Sequence, residues 1–554
     1  MTAVTAVTGP RRDTAFSPLV ATLLAWGLVA VVGCGGEPDV VASRAEPSAS
    51  AAPAPTLPST EAGTDPDTDH DRLDDRPDVG PVTTTEPDDT SARASPPAVT
   101  TPPAAVPSIQ SDAVLDDLVE IGDAKEPREY DELVAAALLD IEQWMTEVHP
   151  LVHGAEWRPL SGGVYPSYPG RTDIPGCGEP FTDPADVAEY VAFYCASGDF
   201  VVYDDGPDSL LGELTAQFGP SVMGIVLAHE YGHVVQDRTG DLARRLPTIL
   251  VEQQADCVAG AWVRRAATGE SPHLTLSDAD IRGALITMVA VRDPVGTDQF
   301  DAGGHGSAFD RIGAFQEGYV HGPERCAELL DDPLPLMPNQ FQSTADLIND
   351  GDLPFGYDEG QIVPLIVDTL NGYWPFQLAE LDAGSFPTMV LTPVTGAADI
   401  SCPTTPRLVA PGLATCIPDG VVFLDDGFAR RLYVDPIVGS ADFAVGYFIA
   451  LAWADVAQDL LGSTLTGSDR ALANDCLVGA WTRDLDPDRP SRSDEGLDRG
   501  IISPGDLDEA VVAAIEIGDT SSDDDILGTP FEKIDAFRAG VLGQIDACLD
   551  RLDP

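Results

Sequence analysis

Apolar residues recur at helical spacing from Tyr130 to Val148, with Leu133, Ala136, Leu139, Ile141 and Trp144 among them, and this period predicts a helix. Gly212 to Arg238, Thr248 to Thr268, Asp278 to Val291 and Ala308 to His321 carry the same signal, and each run stops near Gly, Pro or a polar cluster. Strand patterns are few. The clearest is Phe200-Val201-Val202-Tyr203, which runs into the turn residues Asp204-Asp205-Gly206. The pattern predicts a mainly α chain with a small strand element.

Two stretches break the pattern. Arg11-Arg12 precede an apolar run from about Leu19 to Val32 that ends Gly33-Cys34, which has the charged region, apolar region and small residue before the cut of a secretory signal. Gly33-Cys34 after two aliphatic residues resembles a lipobox, which would make residues 1–33 a lipoprotein signal peptide and Cys34 the lipid-modified first residue of the mature chain. A single uncleaved span is the other reading; the run is short for the ~20 residues a span needs, which favours the lipid anchor. From about Gly35 to Val106 the chain is Pro, Ser, Thr, Ala and Asp with no aromatic residue, so it cannot bury enough apolar surface to fold. Residues 34–112 are therefore expected to form an extended tether.

The rest of the chain is duplicated. Cys195 through Gly206 aligns without a gap on Cys416 through Gly427, Asp256 to Trp262 recurs as Asp475 to Trp481, and Gly306 to Cys326 recurs as Gly528 to Cys548. The offsets at three cysteines are 221, 219 and 222 residues, the constancy of a tandem repeat. Two homologous helical domains are expected, 113–345 and 346–554, each of about 200 residues and large enough for a core of its own.

A net charge of −62 and a pI near 4.1 exclude nucleic acid and anionic lipid as natural partners, since both would be repelled. Nine cysteines less Cys34 leave eight, an even number with no C-x-x-C pair, and an exported chain would use them for disulfides: Cys177, Cys195, Cys257, Cys326, Cys402, Cys416, Cys476 and Cys548.

The candidate chemistry lies in the first repeat. His229-Glu230-Tyr231-Gly232-His233 is H-E-x-x-H in an apolar helical run, and residues four apart share a helix face, so both imidazoles can reach one Zn2+. Glu230 beside them can serve as the base that takes a proton from a water activated by the metal. Downstream, Glu252 and Asp256 again stand four apart on a predicted helix. Zinc at hydrolytic sites takes three protein ligands, and Glu252 completes a His/His/Glu set. Asp256 is placed to hold a ligand imidazole through its other ring nitrogen. His305, in the Gly-rich loop Gly303-Gly304-His305-Gly306 that the second repeat lacks, is a candidate to stabilise the oxyanion, set against a surface His in a flexible loop. His149, His153, His273 and His321 have no such context and are expected to be structural or solvent-facing.

H-E-Y-G-H-V-V-Q (His229 to Gln236) followed by E-Q-Q-A-D-C-V-A-G-A-W (Glu252 to Trp262) resembles the bacterial neutral zinc metallopeptidases, a gluzincin-like group with an E-x-x-A-D element. The Gly176-Cys177 and Tyr194-Cys195 pair, and His305-Gly306-Ser307 leading to Gly318-Tyr319 and Cys326, resemble further segments of that family. The likeness covers roughly residues 115–330. Asp310-Arg311 stands where the family commonly has Gln-Arg. The resemblance implies an α+β zincin-like fold, a zinc peptidase activity and a peptide or protein substrate. In zincins a strand such as Phe200–Tyr203 borders the cleft, where a free edge can pair an extended peptide. Each repeat's four cysteines allow three pairings; the resemblance and the short first loops favour Cys177 with Cys195 and Cys257 with Cys326, mirrored by Cys402 with Cys416 and Cys476 with Cys548.

The second repeat is an internal control. Leu451 stands opposite His229, Ala452 opposite Glu230, Asp455 opposite His233 and Ala471 opposite Glu252, while the cysteines and Trp481 remain. A degenerate pseudo-peptidase repeat is expected, used for packing, substrate reach or an envelope protein partner. The expected whole is a cell-surface zinc peptidase anchored to the outer face of a bacterial membrane. Two alternatives stay open: a zinc hydrolase acting on a non-peptide bond, and a non-catalytic envelope-binding lipoprotein with a vestigial site.

Overall fold

A computed structural model describes residues 107–177, 191–301, 303–341, 347, 351–396, 399–435, 439–486, 502–518 and 526–552. The expected signal peptide 1–33, Cys34 and the tether up to residue 106 lie outside them. The tether's expected end at residue 112 is corrected: strand β1 (Ser108–Ile109) already pairs antiparallel with β5 (Leu274–Thr275), and the Gln110 N–H continues the ladder to the His273 carbonyl.

The fold is mainly helical, with small sheets. In the first repeat, α1 (Asp131–His153) ends at Gly154, whose φ of 71° the chain needs to turn away. β2 (Gly163–Ser167), β3 (Ala192–Cys195) and β4 (Phe200–Asp204) form one sheet. Then come α2 (Leu210–Phe218), α3 (Ser221–Thr239), α4 (Thr248–Ala267), α5 (Asp278–Ala290), α6 (Ala308–His321) and α7 (Pro323–Glu328).

The single helix expected over 212–238 is two. Gly219, at φ 102°, and Pro220 separate α2 from α3. Proline has no N–H to continue the α2 ladder, while the apolar period runs on across the break because both helices face one core. The sheet corrects a second expectation. Its order is β2-β4-β3, parallel on one side of β4 and antiparallel on the other, so the Phe200–Tyr203 strand is central and has no free edge to offer. All five residues of β4 are buried, which suits a strand covered on both faces and paired on both edges.

The second repeat retraces the first. α8 (Ile362–Glu380) answers α1; β6 (Val390–Val394), β8 (Leu413–Cys416) and β9 (Val421–Asp425) answer β2, β3 and β4, with the same parallel and antiparallel pairings, and β7 (Arg407–Ala410) adds a fourth strand outside β8. α9 (Asp426–Tyr433), the two-residue strands β10 (Val434–Asp435) and β11 (Gly439–Ser440), α10 (Asp442–Leu460), α11 (Gly467–Asp484), α12 (Asp506–Ile517) and α13 (Pro530–Leu552) follow. α10 is apolar enough to resemble a membrane span, but it is a core helix with 89% of its apolar window buried.

One contact recurs in both repeats and fixes how the helices stack. A Cβ on Gly318 of α6 would collide with the Cys257 carbonyl of α4, and a Cβ on Gly540 of α13 with the Cys476 carbonyl of α11. Each pair of helices therefore touches backbone to backbone, and a disulfide ties the first helix of each pair to the segment that follows the contact: Cys257 of α4 to Cys326 of α7, and Cys476 of α11 to Cys548, past the kink at Gln544 in α13. The other cysteines join as Cys177–Cys195 and Cys402–Cys416, so all four pairings match those implied by the family likeness. Trp262 and Trp481 are fully buried against these helices, and the Trp262 indole N–H donates to Asp140.

The repeats do not separate into two independent cores. Residues from 104 onward make one compact unit, and one hydrophobic cluster runs through both copies. α5 and α6 meet α12 and α13 across a seam: Phe309 packs on Phe537, Tyr319 on Phe531, Arg282 pairs with Glu516 at 2.8 Å, and the Arg538 guanidinium lies over the Phe309 ring. Carboxylates are buried there too. Asp442, at the start of α10, is pushed up to about 6 by burial, against the backbone N–H groups of Leu353 and Phe443 that favour its ionised form.

Replacing Gly318 by Ala forces α6 off α4 and should cost about 1–3 kcal/mol, read as a lower thermal midpoint with the disulfide intact; Gly540→Ala should behave alike. Asp442 has a folded pKa above its unfolded value, so its penalty is absent below pH ~4 and complete above about 6. Asp442→Asn is therefore expected to raise the thermal midpoint at pH 8 and to change it little at pH 4, measured by thermal unfolding at both values.

Candidate metal centre

α3 carries His229, Glu230 and His233, and α4 carries Glu252 and Asp256. Gly232 lets these helices close: a Cβ there would sit 2.6 Å from the Ala255 Cα. That approach brings Glu252 under both imidazoles. His229 Nε2 is 3.2 Å from one Glu252 oxygen, His233 Nε2 is 3.5 Å from the other, and the ligand atoms of all three residues lie within 4.8 Å of one another. The rings stand at 89° with centroids 4.9 Å apart, an arrangement in which each can turn a lone pair toward one point.

Hydrogen bonds fix which nitrogen faces that point. His229 Nδ1 donates to Asp256 at 2.8 Å, and His233 Nδ1 donates to the Gln236 side-chain oxygen at 2.9 Å. Gln236 is oriented in turn, because its amide nitrogen donates to the Val251 carbonyl. With Nδ1 engaged in this way both imidazoles present Nε2 to Glu252, the outer-ring support typical of metal ligands. Glu252 is fully buried and neither of its oxygens has a hydrogen-bond partner, although both imidazoles are near. Unprotonated, the two Nε2 lone pairs would repel this buried carboxylate, so a proton or a metal cation must lie between them. These residues fit a metal ion.

The electrostatics agree. Burial by itself pushes the His229 imidazole down, but Asp256 and Glu252 reverse this and lift its pKa to about 10, so in the metal-free protein a proton takes the cation's part. Burial pushes Glu252 up, yet His305, His233 and His229 hold its carboxyl well below the ordinary range. Glu230 goes the other way: burial raises it, with His233 and His229 pulling against, and one of its oxygens is unpartnered.

His305 also reaches the centre. Its Nε2 is 3.7 Å from Glu252; Asp293 fixes its backbone by accepting the N–H groups of His305 and Gly306 at 2.8 and 2.7 Å, and the other Asp293 oxygen lies 3.6 Å from Nδ1. It stands beside the His229–His233–Glu252 group without belonging to it.

Three residues of the site carried no assignment in the sequence. Arg311 donates to both oxygens of Asp256 at 2.9 Å and to the Val291 carbonyl, and so supplies the cation that keeps Asp256 ionised; Asp310, the residue that differs in the Asp310-Arg311 pair, has no part in this. Gln236 lies three residues after His233, a helical spacing that could have marked it. Asp293 lies in an irregular loop, where no period signals anything.

In the second repeat Asp455, opposite His233, is bound by Arg470 at 2.7 Å and Arg407 at 2.9 Å, so guanidinium groups neutralise the acid that replaces the ligand.

The chain is similar in part to two proteins. An uncharacterized protein of Mycobacterium tuberculosis is 33% identical over 198 residues, 31% of this chain and 65% of its own. The uncharacterized protein YpfJ of Escherichia coli K12 is 30% identical over 179 residues, 27% of this chain and 56% of its own. The chain thus spans less than two thirds of the length of these relatives. No family model matches the chain, and no solved structure matches it.

Because Asp256 and Glu252 favour the protonated form of His229, protons and metal compete for it. Zinc affinity is expected to fall as pH drops from 8 to 6, with proton release in calorimetry run in two buffers of different ionisation heat. Glu252→Gln should weaken zinc by more than the roughly 10–100-fold expected for Asp256→Asn, by competition with a chelating dye.

Proposed function

We propose that the first repeat is a zinc peptidase that works outside the cytoplasm. The observation that carries this reading is the buried Glu252 carboxylate, flanked by the Nε2 atoms of His229 and His233 at 3.2 and 3.5 Å, with Glu230, one of its oxygens unpartnered, next to His229 in the chain. Two imidazole nitrogens and one carboxylate are a donor set that suits zinc at hydrolytic centres. Zinc, when bound, supplies a Lewis acid for the scissile carbonyl and lowers the pKa of a water.

The chain's own groups account for the remaining steps. His229, His233 and Glu252 hold the ion, with Asp256, Arg311 and Gln236 setting the ring orientations. Glu230 accepts the proton of the attacking water and delivers it to the leaving amine; its raised pKa brings it nearer to neutral, where a base can also serve as an acid. His305, braced by Asp293, donates to the carbonyl oxygen as charge develops there.

Four disulfides support an exported setting, and a lipid anchor at Cys34 would hold the enzyme at the outer membrane face. The second repeat, with its acid-for-ligand exchange, then serves as a buttress for α5 and α6 and as a surface for an envelope partner.

Glu230→Gln is expected to retain zinc and lose about 10²–10⁴ in turnover of a mixed peptide library, followed by mass spectrometry beside elemental analysis. Zinc bound by the wild type with no peptide cleaved under any condition would overturn the peptidase reading; cleavage of an ester or amidase panel alone would move the reaction to a non-peptide bond.

A further inference from the structure

On α1, behind the metal helices, stands a second imidazole pair. His149 and His153 are four residues apart, as His229 and His233 are, and their ring centroids are 4.8 Å apart against 4.9 Å for the ligand pair. His149 is 2% exposed, and its Nδ1 donates to the Ala155 carbonyl at 2.8 Å, just past the helix end. That bond leaves Nε2 with a lone pair, and Nε2 is buried with no partner. A buried acceptor left unmatched costs about 1–3 kcal/mol, so such an atom in a native fold asks for an explanation.

Both rings line a small recess that opens to solvent, walled by Met145, Val235, Val258 and Pro323. Val235 and Gln254, on its wall, each lie two residues beyond a ligand of the first centre, roughly 200° around their helices, so the recess faces away from that centre. His153 is half-buried at the rim, which gives an ion a way in.

We infer that His149 and His153 form a second, exchangeable site for a transition-metal ion of the Zn2+ or Cu2+ class. Imidazole nitrogen excludes calcium and magnesium, which take oxygen. A backbone carbonyl fixing the rear nitrogen is how ligating histidines are commonly held, and spacing of four on a helix lets both rings reach one ion. With two protein ligands the remaining positions go to water, so this site is weaker than the first and fills after it.

The untagged full chain, stripped with a chelator, is titrated with Zn2+ by calorimetry and with Cu2+ by electron paramagnetic resonance. Two binding steps are expected. His233→Ala should abolish the tighter step and leave the weaker one; His153→Ala should weaken the second at least about tenfold and leave the first. Cu2+ in the His233→Ala protein should show nitrogen coupling and quench part of the tryptophan emission, since Trp157 lies 5.3 Å from the His149 ring and Trp144 lines the recess. His153 is partly exposed, so its replacement tests the site even if His149→Gln fails to fold. A single step in the wild type, or a second step unchanged by His153→Ala, overturns the inference. Neither result depends on whether the first centre cleaves peptides.

Discussion

The constraint on which the site depends is a carboxylate placed where nothing in the protein solvates it. Glu252 lies at the junction of α3 and α4, fully buried, with no hydrogen bond to either oxygen. Removing a carboxylate from water is among the costliest acts in folding, and it persists only where opposite charge is close. In this protein the charge is either protons on the two imidazoles or a metal ion among them. Gly232 enforces the arrangement, because the absence of a side chain there lets the α4 backbone approach until Glu252 lies under both rings. The ion site is thus a consequence of helix packing as much as of the five-residue motif.

The duplication shows which parts of this arrangement belong to the framework. Asp256 is bound by Arg311; its counterpart Asp475 is bound by Lys533 at 2.8 Å, fully buried, in a repeat with no histidine ligand at all. The acid and its cation therefore tie the same two helices together in both copies, independently of metal. In the first repeat Asp256 has the further task of holding His229. The local chemistry differs accordingly. Burial pushes both acids up, but the bidentate guanidinium and the imidazole draw Asp256 below its ordinary range, whereas Lys533, a compact charge, and the Tyr447 hydroxyl leave Asp475 raised.

The two repeats meet through α5, α6, α12 and α13, and α6 bears on the metal centre through Arg311 and on the seam through Phe309. The Phe309 N–H donates to Asp508, and the Arg538 guanidinium stacks on its ring and bonds its carbonyl. Asp508 also pairs with Arg292, next to the Asp293 that braces His305. The degenerate repeat therefore supports two residues of the first centre from behind. This gives a physical reason for a copy without ligands to remain attached: its helices position the wall of the site.

What the sequence determined by itself was everything carried by short-range period and by repetition. Helical spacing marked α1, α4, α5 and α6, the four-residue interval placed His229 with His233 and Glu252 with Asp256, and the duplication marked the cysteines and Trp262/Trp481 as framework. The break at Gly219-Pro220 was also written there but was masked by an apolar pattern that continues across it. Tertiary structure alone decided the rest. That β4 is central with no free edge, that the repeats share one core, and that Asp293, Gln236 and Arg311 support the ligands all depend on contacts between residues distant in the chain. Such contacts leave no local period, because burial and charge pairing are properties of a neighbourhood that exists only after the helices have packed.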